Sequence, residues 1–285
     1  MSTAFRNKLV LLFFIVFAVV VTTLYRNTFS SPFVFDDRPT IVENEKIRNI
    51  KSFSEWSTIK KQRPLVDFTF ALNYNFGGLE VSGYHAVNIF IHIINGLLVF
   101  LLVFLILSSV SNGLQHLSNS EESTQHYSFK HKYFIAIITA LLFTVHPLQT
   151  QAVAYIAQRY TSMAAMFFLA AIILYILARQ QQRAQNAKRP SHSDGSRATT
   201  LEGSCHRPVV TTGSLFLLSF ICGVAAFLSK QNAATLPLVI LMLEYLLFDR
   251  SLSGWRTKSL WLLPICGLFV LFVLYSSGVT TTGMR

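Results

Sequence analysis

The chain has 285 residues, 52% of them hydrophobic and only 13% charged, with 25 Phe and a formal net charge of +11. A soluble domain of this length carries about a quarter charged residues, so the composition points to a membrane rather than a water-soluble fold. The 24 basic residues fall between apolar runs and form no basic face interleaved with stacking aromatics, which argues against nucleic acid as a partner.

Taken in chain order, the first element is an unbroken apolar run at 9–21, preceded by Arg6 and Lys8 and extended by Leu24 and Tyr25. No small-residue cleavage site follows it, so it reads as a retained signal-anchor helix. A long polar segment at 26–84 comes next, containing "SSPFVFDDRPTIVENEKI" with the adjacent carboxylates Asp36 and Asp37. Further apolar runs lie at 85–110, 133–146, 160–178, 213–229, 233–248 and 259–277. Each approaches the roughly 20 residues that cross the hydrocarbon, the runs at 133–146 and 233–248 being short. The expectation is an all-α polytopic membrane protein with about seven transmembrane helices, a single membrane domain spanning 1–285.

Basic residues orient it. Arg6 and Lys8, Lys130 and Lys132, the segment 179–207, and Arg250, Arg256 and Lys258 all fall on one side, which the positive-inside rule makes cytoplasmic. The linkers 111–131 and 179–209 are small, polar and unpatterned, and read as cytoplasmic connections without catalytic content. The outer loop 26–84 is also basic, but long loops cross largely regardless of charge. Cys205, Cys222 and Cys266 have no metal-ligand spacing and imply no disulfide framework. No tandem repeat is visible.

The polar residues inside these runs carry the functional argument. In "YHAVNIFIHIINGLL", His85, Asn88, His92 and Asn95 recur at three, four and three residues and share one helix face. Polar groups in a bilayer face a bundle interior or a wet cavity. Interhelical hydrogen bonding competes with function for the deeper His92 and Asn95; His85 and Asn88, at the outer end, lean toward a site. In "VHPLQTQAVAYIAQRYTSM", Gln151, Tyr155, Gln158, Arg159 and Ser162 form a second polar face, with Arg159 at the outer end of its span. Arg159 is either a snorkelling anchor or an anion contact. Lys230, in "FLSKQNAATLP", lies between two runs on the same side, as a turn lysine or a further cation. Glu244 is expected at the inner interface.

A carboxylate pair, a polar stripe and two cations delivered to one side suit a reaction at the bilayer surface on a lipid-borne phosphate. Arg and Lys would hold the phosphate, and a carboxylate would take a proton from an incoming hydroxyl. The structural alternative for the aspartates is a helix N-cap followed by Pro39. No Gly-rich phosphate loop, nucleophile elbow or zinc helix competes.

Five blocks carry a resemblance: "FVFDDRPTIVENEKI", "RPLVDFTFALNY", "GYHAVNIFIHIIN", "VHPLQTQAVAYIAQR" and "LSKQNAATLPLVIL". In order and style the chain resembles the transmembrane and tetratricopeptide-repeat O-mannosyltransferases and their bacterial relatives, members of the GT-C class of membrane glycosyltransferases. The resemblance implies a polyprenyl- or dolichyl-phosphate sugar donor, a protein or glycan acceptor, and action on the lumenal or periplasmic side of the endoplasmic reticulum or bacterial inner membrane. It implies Asp36 as catalytic base with Asp37 in support, and Arg63, His85, Arg159 and Lys230 as donor contacts, to which the polar stripe adds Asn88. No cofactor follows from it, and a divalent cation is left open. Gln231 stands where relatives often carry an acid. Such enzymes usually carry eleven or more spans, so the chain is expected to be a truncated or minimal form without tetratricopeptide repeats. A catalytically incomplete scaffold and, further off, a transporter are the readings from other classes.

Overall fold

The computed structural model describes residues 3–50, 63–117, 129–187 and 210–248. Every regular element among them is helical. Helix α1 covers Thr3–Leu24, and the chain then winds through three single turns, Arg26–Ser30, Arg38–Val42 and Glu45–Arg48. Helices α2 (Pro64–Gly77), α3 (Val81–Leu117), α4 (Phe129–Val145) and the short α5 (Gln149–Ala154) come next. A turn at Ile156–Gln158 leads into α6 (Arg159–Ala187), and α7 (Thr212–Ser229) returns alongside it. The turn Gln231–Thr235, α8 (Leu236–Leu243) and the wider turn Glu244–Phe248 complete the described residues.

Local chemistry explains the ends. Pro64 opens α2, where its missing N–H is no loss, and Gly78 closes it at φ 58, donating its N–H to the Tyr74 carbonyl. Thr211 caps α7 by accepting the Ser214 N–H on its side-chain oxygen.

Four helical stretches are long and apolar enough to cross a membrane: Val81–Ser111, Ile156–Ala187, Thr212–Ser229 and Gln231–Phe248. The chain is therefore a multi-pass helical membrane protein, but the expected count of seven is not reached among the described residues. Helix α4 has 17 residues, about 25 Å of helix, and opens on Lys130 and Lys132. The apolar stretch of α1 is Leu12–Leu24. The expected span at 259–277 lies outside the described residues, as do Arg250, Arg256, Lys258 and most of both linkers. Large apolar side chains such as Phe90, Phe134, Leu142, Leu217 and Phe220 point outward, as lipid-facing residues do.

Helix α3 is the central post. One core layer joins it to α1 and α4 through Phe17, Val21, Ile89, Phe100, Ala136 and Ala140. A second, at its outer end, packs Ile41, Ile47, Val66, Phe70, Tyr84, Ile156 and Met163. A third joins it to α6 and α8 through Leu105, Ala171, Ile172, Ile176, Leu236 and Leu243. The approach of α3 to α1 and α4 requires Gly96, where a β-carbon would lie 2.5 Å from Thr144 Cγ2 and 2.6 Å from Phe17 Cζ. Around Gly213, by contrast, nothing lies within 4 Å of such an atom. Gly96→Ala is expected to destabilise the chain by about 1–3 kcal/mol through overpacking. Gly213→Ala should be neutral or slightly stabilising, a contrast that thermal unfolding in detergent reads directly.

Candidate functional site

One end of the bundle is organised by Arg159, the first residue of α6, whose side chain is fully buried. Its Nε donates to Asn88 Oδ1 at 2.8 Å, Nη1 to Asn73 Oδ1 at 2.7 Å and Thr69 Oγ1 at 3.3 Å, and Nη2 to the Tyr84 carbonyl at 3.0 Å. The guanidinium also lies over the Phe70 ring, 4.4 Å from its centroid. One side chain thus ties α6 to α2 and α3. Asn88 passes the link on, donating through Nδ2 to the carbonyls of Val153 and Ile156 at 3.4 and 3.3 Å.

The adjacent aspartates are divided between interior and surface. Asp37 is buried; its Oδ1 accepts the Ala157 N–H at 2.7 Å and its Oδ2 the Val34 N–H at 3.0 Å. Burial pushes its carboxyl above the usual range, opposed by those two N–H groups and by the nearby His85. Asp37 does occupy the position before the turn Arg38–Val42, with Pro39 following, but its carboxylate makes no capping bond there. Asp36 faces outward, because Phe35 is held at φ 45, a left-handed conformation uncommon for a bulky residue. The Asp36 N–H donates to Tyr155 Oη at 2.9 Å. Burial raises the Tyr155 phenol, the Asp36 N–H counteracts this, and the nearby negative charge of Asp36 raises it again.

Arg63 and Lys230 rest on adjacent residues a little further along. Arg63 lies over the Tyr160 ring, 4.7 Å from its centroid, and the Tyr160 hydroxyl donates to Asp67 at 2.5 Å. Lys230 Nζ donates to Thr161 Oγ1 at 2.7 Å. Burial lowers the Lys230 ammonium, and the charge of Arg63 lowers it further. Both aspartates and both cations therefore lean on the segment 155–161.

The polar stripe of α3 is buried throughout. His85 Nε2 donates to the Ser31 carbonyl at 3.0 Å, which leaves Nδ1 buried without a hydrogen-bond partner. His92 Nε2 donates to the Thr144 carbonyl at 3.1 Å, a carbonyl that also accepts from Tyr25 Oη. Asn95 Nδ2 donates to the Ser162 carbonyl at 3.0 Å. Every member of the stripe bonds a neighbouring segment, as interhelical hydrogen bonding would. Among the described residues no three His, Cys, Asp or Glu side chains gather as a ligand set for a metal. Glu244 is buried at the opposite end of the bundle, where Arg179 holds both its oxygens and Tyr175 donates to it at 2.7 Å. The partnerships of Tyr155, Asp67, Thr69 and Asn73 had no signal in local spacing.

This arrangement defines a helical membrane protein with a charged, hydrogen-bonded cluster at one end of its bundle. The similarity expected from the five sequence blocks is found among known proteins. Over 230 residues the chain is 27% identical to protein O-mannosyl-transferase TMTC4 of Homo sapiens, covering 76% of this chain and 27% of that protein. It is 30% identical to protein O-mannosyl-transferase F38B6.6 of Caenorhabditis elegans, over 55% of this chain and 22% of that protein. It is 32% identical to protein O-mannosyl-transferase Tmtc3 of Drosophila melanogaster, over 58% of this chain and 19% of that protein. The chain thus spans about a fifth to about a quarter of the length of these relatives. No protein-family model matches it, and no solved structure gives a significant match.

The buried and exposed aspartates should respond differently to the same change. Asp37→Asn replaces one acceptor oxygen with a donor facing a backbone N–H and should destabilise by about 1–3 kcal/mol. Asp36→Asn, at the surface, should leave unfolding in detergent within about 0.5 kcal/mol of wild type.

Proposed function

We propose that the chain is the donor-binding and proton-accepting part of a glycosyltransferase that moves a mannose from a polyprenyl- or dolichyl-phosphate carrier to a Ser or Thr hydroxyl of a protein. The reaction would take place on the lumenal or periplasmic side of the membrane. The observation that carries this reading is the separation of roles over one short segment. An exposed carboxylate, Asp36, and two cations, Arg63 and Lys230, flank residues 155–161 at the same end of the bundle. The names of the relatives supply the sugar and the acceptor class.

In this reading the acceptor oxygen forms a bond to the anomeric carbon while the bond from that carbon to the phosphate oxygen breaks. The electron pair leaves with the lipid phosphate, and Asp36 takes the hydroxyl proton. One base, no covalent sugar–enzyme intermediate and inversion at the anomeric carbon belong together. The leaving phosphate gains negative charge as the bond breaks. Arg63 and Lys230, both half-buried, would attract that anion, and the attraction grows as its charge develops. Asp37, His85, Asn88 and Arg159 are turned toward the protein, and in this reading they hold the outer loop and the start of α6 in place.

The scaffold and transporter readings lack a matching observation. The polar stripe that would line a pathway is committed to the hydrogen bonds of neighbouring elements.

The test is transfer of radiolabelled mannose from polyprenyl-phosphate mannose in membranes containing this chain, beside its Asp36→Asn variant at equal insertion. Wild-type transfer and a loss of at least about 100-fold in the variant are expected for a base acting in the transition state. Normal turnover by Asp36→Asn would remove Asp36 from the mechanism.

A further inference from the structure

Residues 155–157 grip both aspartates from across the chain. Tyr155 Oη accepts the backbone N–H of Asp36, and two residues later the Ala157 N–H donates to Asp37 Oδ1. The Tyr155 hydroxyl still has its own proton to give, and the carboxylate of Asp36 is its neighbour. Its ring adds an edge contact with Phe35, centroids 6.4 Å apart at 80°. Phe35 is the residue in the left-handed conformation, and 84% of its surface is exposed. A strained bulky residue persists only where its surroundings over-determine it, and here the over-determination comes from both sides. The Val34 N–H and the Asp37 carboxylate close the turn from within, and Tyr155 holds it from without.

We propose that Tyr155 is a positioning residue for Asp36, fixing the direction in which that carboxylate meets the acceptor hydroxyl. The inference rests on the reading of Asp36 as the base. The backbone of Asp36 is then held by the phenol, so the carboxylate it carries keeps its direction without reorganising during the reaction. Tyr155 touches neither donor nor acceptor. Its effect belongs in the chemical step and not in binding.

Tyr155→Phe removes the hydroxyl and keeps the ring with its contact to Phe35. The expected result is a fall in kcat of about 10- to 100-fold, as for a misplaced catalytic group. KM for both substrates should stay within about twofold and thermal unfolding should be unchanged. Wild-type kcat in Tyr155→Phe, or a fall in kcat that tracks a loss of stability, overturns the proposal. If Asp36→Asn is inactive while Tyr155→Phe is normal, the positioning role alone fails. If Asp36→Asn is itself normal, the base reading fails with it. Amide exchange tests the clamp without turnover. The Asp36 amide should exchange at least about tenfold faster in Tyr155→Phe while the Ala157 amide stays protected. Equal protection of the Asp36 amide in both proteins overturns the proposal even where no transfer is measured.

Discussion

A guanidinium with no water around it sets the terms for the outer end of this protein. Taking Arg159 out of solvent carries a penalty of several kcal/mol unless its donors are matched. The match comes from a carbonyl, a threonine hydroxyl and two asparagine amides, with the face of Phe70 beneath. None of these hydrogen-bond partners is a carboxylate, so the charge is spread over dipoles from α2 and α3 and not quenched in an ion pair. Each dipole must stay in place for the charge to be tolerated. The arginine thereby fixes α2 against α3 and the start of α6 against both, and Asn88 extends the constraint to the carbonyls of Val153 and Ile156.

The result is a rigid frame under a polar surface. The Ala157 N–H that receives Asp37 is the neighbour of Ile156, whose carbonyl Asn88 holds. The His85 bond to the Ser31 carbonyl anchors the other side of the aspartate turn. Once Asp37 is pinned inside, the twist at Phe35 turns Asp36 outward. Tyr160 and Thr161, the next residues of α6 after the arginine, present the surfaces on which Arg63 and Lys230 rest. At the far end of the bundle the ion pair of Glu244 with Arg179 closes α6 against the turn after α8, keeping the two ends chemically distinct.

The helical architecture was largely legible because apolar runs of near-spanning length leave few alternatives in a bilayer. The stripe at 85, 88, 92 and 95 was legible from spacing, since residues three and four apart share a face. Its partners were not: Ser31, Thr144, Val153, Ile156 and Ser162 are brought to it by packing that local spacing does not encode. The adjacency of Asp36 and Asp37 was visible, but which one is buried depends on the conformation of a single residue, Phe35. Arg159 read as a cation at the outer end of a span, available to an anion. The side chains that enclose it come from positions 71 to 90 residues away, and their amides and hydroxyl look ordinary in sequence. Glu244 read as interfacial for the same reason, its partner Arg179 being 65 residues distant.

The central claim is that buried Arg159 holds the aspartate loop through this frame, and the rate of tryptic cleavage at Lys46 and Arg48 in the reconstituted chain measures it most directly. In Arg159→Gln, cleavage at these sites should accelerate at least about tenfold over wild type, because local opening of the loop becomes easier when its support is lost. Cleavage at Arg183, at the other end of α6, should be unchanged. Wild-type rates at Lys46 and Arg48 in that variant would contradict the claim, since the loop would then be held without the arginine.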